Sequence, residues 1–229
     1  MRTLLLDMDG VLVDFVPHWL NYLNLFQGID IKPEEVTKYA LHETHAGQKA
    51  LDGRPKSILN TPFTTPGFFR TAPMMPGARE FIRALQDFDP EDFQFFIVTH
   101  PSGGDSAKEK YEWVEGTFGP NINIIMTKHK YLIGGDMLVD DCVEYVHKFL
   151  AHGKKRKALI PFTTYLPNEL KRFGMNAHGP QHNTLGDPTS RGGITDTTSP
   201  EHFFNRVLES VNDMVYTVRP SRFDGTSTP

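Results

Sequence analysis

Cysteine is almost missing from this chain: Cys142 is the only one in 229 residues. An intrachain disulfide framework is therefore excluded, and the usage fits a reducing cytosol. Excess positive charge is missing too. A net charge of -4 argues against a nucleic-acid polymer as partner. Long hydrophobic runs are absent, so nothing reads as a membrane span. The apolar run near the start is short and soon broken by Asp7, which excludes a signal peptide. No internal repeat is visible. The length suits one sizeable core, alone or with a small appended subdomain.

What is present begins at Thr3, in "TLLLDMDGVLVDF". Leu4, Leu5 and Leu6 lead straight into two acids, Asp7 and Asp9. A short apolar run without alternation reads as a strand buried on both faces. Acids have no use inside such a strand, so they mark its end. Further buried strands are expected at Phe95–Val98, Ile122–Met126, Met137–Val139 and Ala158–Ile160. Helical spacing runs from Phe15 to Phe26, closed by Gly28, and again through Ala78, Phe81, Ile82 and Leu85. Pro33-Glu34-Glu35 reads as another helix start. Lys108–Phe118 and the stretch after Pro200 complete the helices. Strands alternating with helices predict an α/β fold, a doubly wound and mostly parallel sheet. The Gly-, Pro-, Thr- and Asn-rich stretch 174–200 reads as a long loop.

Four strands end in polar residues of one kind. The first runs into Asp7 and Asp9, the second into Thr99, the fourth into Asp140 and Asp141. Lys130 follows the third. In an open parallel sheet the carboxyl ends of the strands form the ligand edge, so these groups meet there. Clustered carboxylates repel unless a cation is present, and hard oxygen donors suit Mg²⁺. A strand-end carboxylate can attack phosphorus, a second can move protons, and a hydroxyl, a lysine and backbone N–H groups can hold phosphoryl oxygens. Lys128 lies two residues from Lys130 and competes for the same role.

The set "DMDGV", a strand-end Thr, a Lys and "DD" resembles the haloacid dehalogenase superfamily of phosphohydrolases. "DMDGVLVDF", "PMMPGA", "FFIVTHP", "EKYEWVEGTFG" and "TKHKYLIGGDMLVDD" are similar, more narrowly, to the 5′(3′)-deoxyribonucleotidases of the cytosolic and mitochondrial type, over roughly residues 1–165. The resemblance implies a Rossmann-like core from residues 1–14 and 74–229, and a small helical cap from residues 15–73. It implies Asp7 as nucleophile and Asp9 as acid/base. It further implies Thr99, His100 and Lys130 as phosphate-binding residues, with Lys130 also catalytic. Asp7, Asp9, Asp140 and Asp141 would hold Mg²⁺. Asp136 lies in the same motif and would support its loop. Two positions depart from the family: His100 replaces the usual Ser, and Cys142 the usual Arg. Phe15, Phe68 and Phe69 would hold a nucleobase by stacking, and packing within the cap is the other reading of these rings. The activity implied is Mg²⁺-dependent removal of phosphate from nucleoside monophosphates through an aspartyl phosphate. A sugar phosphate is the alternative substrate, and a non-catalytic binding protein the reading from another class. The location implied is cytoplasmic, or the host cytoplasm for a viral source, with no membrane partner and a homodimer as an option. Trp19 and Trp113 read as core. His178 and His182 carry metal-ligand spacing, but Gly179-Pro180 between them breaks a helix and argues against zinc.

Overall fold

The computed structural model describes residues 1–161, 163–175 and 199–216. The expected long loop falls almost wholly outside them, as do His178 and His182. Among the described residues one five-stranded sheet forms the centre, in the order β3-β2-β1-β4-β5, with every pairing parallel. The strands are β1 (Arg2–Leu6), β2 (Phe93–Thr99), β3 (Ile124–Met126), β4 (Met137–Val139) and β5 (Lys157–Leu159). The helices are α1 (Phe15–Gln27), α2 (His45–Leu51), α3 (Ala78–Gln86), α4 (Ser106–Phe118), α5 (Val143–Ala151), α6 (Leu166–Arg172) and α7 (Pro200–Tyr216).

The triple leucine explains the layering. Successive strand residues point to opposite faces. Leu4 and Leu6 join the cluster under α3, α4 and α7, with Phe81, Trp113 and Val207. Leu5 joins Val98 and Leu138 under α5 and α6. All three leucines are fully buried, as a central strand covered on both sides requires.

β1 is the middle strand, and the chain crosses from β3 on one side of it to β4 on the other. The strand order therefore reverses beside β1, and its carboxyl end opens into a crevice between β1 and β4. A third apolar cluster gathers Trp19, Leu20, Leu23, Ile29, Val36, Leu59, Phe68 and Phe69 with Tyr165. It is built almost entirely from the segment between β1 and α3. Gly28 closes α1 in the left-handed conformation, as its position predicted. The expected helix at Pro33 is a single 3-10 turn, Pro33–Glu35. Turn formers dominate the rest of this segment, which folds as α2 between short 3-10 stretches at Leu41–Glu43 and Lys56–Thr64.

Candidate active site

The Asp7 N–H still bonds the Val139 carbonyl at 2.8 Å, so the first acid leaves β1 in register with β4. The chain then turns sharply. The Met8 carbonyl accepts from the N–H of Leu12 and Val13, and the Met75 N–H bonds the Leu12 carbonyl. Gly10 lies within this turn at φ 74°, and a Cβ there would collide with the Asp141 carboxylate. A glycine at this point thus serves both the turn and the approach of the β4 acids to the β1 acids.

Lys130 sits at the centre of the crevice. Its Nζ lies 2.7 Å from Asp7 Oδ1 and 2.8 Å from Asp140 Oδ2. It is buried, whereas Lys128 is exposed. Burial alone would lower its pKa, but Asp140 and Asp7 outweigh that and hold the ammonium well above its usual range. Asp140 is saturated: its Oδ1 accepts from the Cys142 N–H at 2.9 Å. Only the backbone of Cys142 is used, so the arginine expected at that position is not needed for this bond. Asp141 Oδ2 accepts from the Tyr165 hydroxyl at 2.5 Å.

Asp7, Asp140 and Asp141 each offer an oxygen, all within 4.8 Å of one another, a group that could hold a metal ion. One ammonium faces these three buried carboxylates. Burial is the largest cause pushing Asp7 up to about 7, with Asp140 and Asp9 adding to it. Asp141 is also raised, by burial and then by Asp7 and Asp140. Surplus buried negative charge of this kind is what a hard divalent cation relieves, so the donor set fits Mg²⁺.

The Asp9 side chain stands apart from that trio. One oxygen is ion-paired with Lys110, on α4. The other, Oδ1, is buried without a partner among the described residues. Lys110 Nζ also bonds Thr99 Oγ1 at 2.8 Å and the His100 carbonyl at 2.9 Å. One fully buried cation thus ties together the second acid, the strand-end hydroxyl and the loop after β2. Lys110 was not expected from the sequence. A signal was there: Ser106, Glu109, Lys110, Trp113 and Val114 are the buried residues of α4, at the spacing of one helix face. Two charged residues on an apolar face need buried partners. The neighbouring Glu109 finds its own, accepting from the N–H of Gly67 at 2.5 Å and of Phe69 at 3.1 Å.

A cavity of about 640 Å³ opens over these groups. Asp7, Asp9, Lys130 and Asp141 lie on its lining together with His100 and Ser102. The aromatic lining comes from Phe15, Trp19, Tyr39, Phe63, Tyr145 and Tyr165. Phe15 therefore lies on the cavity wall. Phe68 and Phe69 do not reach the lining; they are 0% and 1% exposed. Their rings pack behind it, with Phe68 at 6.0 Å from Phe15 and 5.7 Å from Phe63. The physical reason is the tether of Glu109, which draws the Gly67–Phe69 backbone down onto α4. Asp136 does not reach the site either. It pins the far end of β1, bonding Arg2 at 2.8 Å and the Thr3 N–H at 2.9 Å.

A model of the family described as "5' nucleotidase, deoxy (Pyrimidine), cytosolic type C protein" matches residues 1–166. The human cytosolic-type 5′(3′)-deoxyribonucleotidase is 34% identical over 144 residues, covering 60% of this chain and 69% of that protein. The mouse mitochondrial 5′(3′)-deoxyribonucleotidase is 31% identical over 144 residues, covering 60% and 63%. The crystal structure of a haloacid dehalogenase-like hydrolase from Burkholderia xenovorans superposes with a TM-score of 0.51 at 14% identity. It covers 92% of this chain and 98% of that one, a likeness of fold.

Proposed function

The chain belongs to the cytosolic type C family of deoxy (pyrimidine) 5′-nucleotidases, and from that premise we propose that it hydrolyses nucleoside monophosphates to a nucleoside and inorganic phosphate. One observation carries the reading. Asp7, Asp9, Thr99, Lys130, Asp140 and Asp141 gather at one end of a cavity whose lining is otherwise rich in rings and also holds Lys56 and Asn60. Charge at one end suits a phosphoryl group, and rings at the other suit a base.

Asp7 attacks phosphorus in line, and the bond from phosphorus to the nucleoside oxygen breaks. Asp9 delivers a proton to that oxygen through Oδ1, the atom that Lys110 leaves free. Asp9 then takes a proton from water, which attacks the phosphorus of the aspartyl phosphate. Inorganic phosphate leaves and the Asp7 carboxylate is restored. Lys130 steadies Asp7 through both steps. Lys110 orients Asp9 and the Thr99 hydroxyl, and the N–H groups after Thr99 meet phosphoryl oxygens. Mg²⁺, held by Asp7 and Asp141 with Asp140 beside them, would supply charge stabilisation for the phosphoryl group. Residues 15–73 form the cap that carries the base, with Phe15, Trp19 and Phe63 as its stacking surface and Phe68 and Phe69 as backing. We place the activity in the cytoplasm, in line with the human cytosolic-type relative.

The test is phosphate release from a panel of deoxyribo- and ribonucleoside monophosphates and sugar phosphates, with Mg²⁺ and with chelator. Mg²⁺-dependent release, strongest on the deoxyribonucleotides, is expected. Release from sugar phosphates alone would keep the Asp7 chemistry and overturn the aromatic base seat.

A further inference from the structure

Most groups at the crevice belong to the strand tips. Tyr165 does not. It lies just past β5, is 3% exposed, and gives its hydroxyl proton to Asp141 Oδ2 at 2.5 Å. Its ring belongs to the apolar cluster built from the segment between β1 and α3, and meets Tyr39 edge-on at 5.7 Å. Its neighbours bind the same region. Thr164 Oγ1 bonds the Val36 carbonyl at 2.6 Å, and Asn168 Nδ2 bonds the Thr37 carbonyl at 2.7 Å. Glu169 accepts from the Tyr39 N–H at 3.3 Å. Residues 164–169 thus form a latch across the cavity onto residues 36–39, and the latch passes through an acid of the metal-binding trio.

We propose that Tyr165 is a positioning residue: it fixes the Asp141 carboxylate for the cation and ties that orientation to the seating of the 36–39 segment. The proposal rests on the reading of Asp141 as a metal ligand. Three carboxylates in one pocket repel, so an untethered Asp141 would swing away before a cation arrives. A neutral phenol holding Oδ2 leaves the other oxygen, Oδ1, for the cation. Hydrogen-bond partners behind a ligating carboxylate set its orientation in this way, and their loss weakens metal affinity without removing a ligand.

The experiment is calorimetric titration of the full chain with Mg²⁺ alone, on Tyr165→Phe, Thr164→Val and Asp141→Asn. Phe keeps the ring and its packing and removes only the hydroxyl. Mg²⁺ dissociation constants are expected to rise about tenfold for Tyr165→Phe and about threefold for Thr164→Val, which removes the shortest bond of the latch while leaving Tyr165 and Asp141 intact. In Thr164→Val the nucleotide KM at saturating Mg²⁺ should stay within about twofold, which a general loosening of the fold would not allow. Asp141→Asn should abolish Mg²⁺ binding. If it does and Tyr165→Phe binds as wild type, the positioning role is overturned. Unchanged affinity in Thr164→Val overturns the tie through Thr164 to Val36. Wild-type affinity in Asp141→Asn instead overturns the metal reading beneath both. Melting curves in chelator identify a variant that has not folded, and the two remaining variants then carry the test.

Discussion

The two ends of the cavity are built on different principles. At the phosphate end the charges are paired: Lys130 lies between Asp7 and Asp140, and Lys110 between Asp9, Thr99 and the His100 carbonyl. These are buried charges that must be paired, so removing any one leaves another uncompensated. At the base end the walls are rings in loose mutual contact, such as Phe63 against Phe15 at 5.7 Å and against Trp19 at 5.5 Å. Such contacts are additive and forgiving. Electrostatics therefore dictates the chemistry end, and ring packing the aromatic wall of the other. Substitutions should be drastic at the first end and graded at the second.

The strongest break is Asp7→Asn. Turnover should fall by about 10³-fold or more with the fold retained, because the attacking oxygen is lost. Single-turnover assays beside circular dichroism check it, and retained activity would refute the nucleophile. Next comes Lys110→Met, expected to lower kcat about 100-fold, since Asp9 and Thr99 lose their shared anchor. A KM effect with kcat intact would mean that Lys110 serves affinity only. At the other end, Phe63→Ala should raise KM about tenfold with kcat little changed, the worth of one base-ring contact. Phe68→Ala should act on stability instead, by about 3 kcal/mol or more, because its ring backs the wall without reaching the cavity. Denaturant titration and initial rates on both variants separate lining from backing.

The smallest effect is pH dependence in the metal-free protein. Burial pushes Asp7 up to about 7 and raises Asp140 and Asp141 as well, whereas an unfolded carboxyl titrates near 3.8. Between those values the folded chain binds more protons than the unfolded one, so stability falls as pH rises through that window and stays lower above it. Scanning calorimetry in chelator should give a Tm at pH 8 a few degrees below that at pH 6. Mg²⁺ should raise the Tm more at pH 8 than at pH 6. An equal increment at both would mean that these carboxyls are not what the cation relieves.

The phosphate end was also the more legible in sequence. Buried strands announce themselves as apolar runs, and a polar residue that ends such a run can only face the carboxyl edge. That logic alone brings Asp7, Asp9, Thr99, Asp140 and Asp141 to one edge, where the structure has them. Lys110 escaped because "KEKYEW" reads as a solvated helix face until its phase against Trp113 and Val114 is worked out. The base end was harder for a physical reason. Phe63, Phe68 and Phe69 sit in short 3-10 and turn segments without a sustained period, so nothing local says which of these rings faces inward. Trp19, read as core, is buried and also lines the cavity, while Phe68 and Phe69 are wholly interior. Tyr165 lies beyond β5 in "FTTYLPNEL", where no pattern links it to an acid 24 residues earlier.

Glu109 and Lys110 are consecutive on α4, one gripping the Gly67–Phe69 backbone and the other the Asp9 carboxylate. A helix advances about 1.5 Å per residue. The backing of the aromatic wall and the Asp9 carboxylate are thus gauged from one datum, a single peptide unit on a rigid rod. The two connections to the core, at residues 14 and 73, are themselves tied together, the Asp14 N–H bonding the Pro73 carbonyl at 2.9 Å. A base resting on that wall, as proposed above, would stand at a distance from Asp9 that one turn of α4 sets.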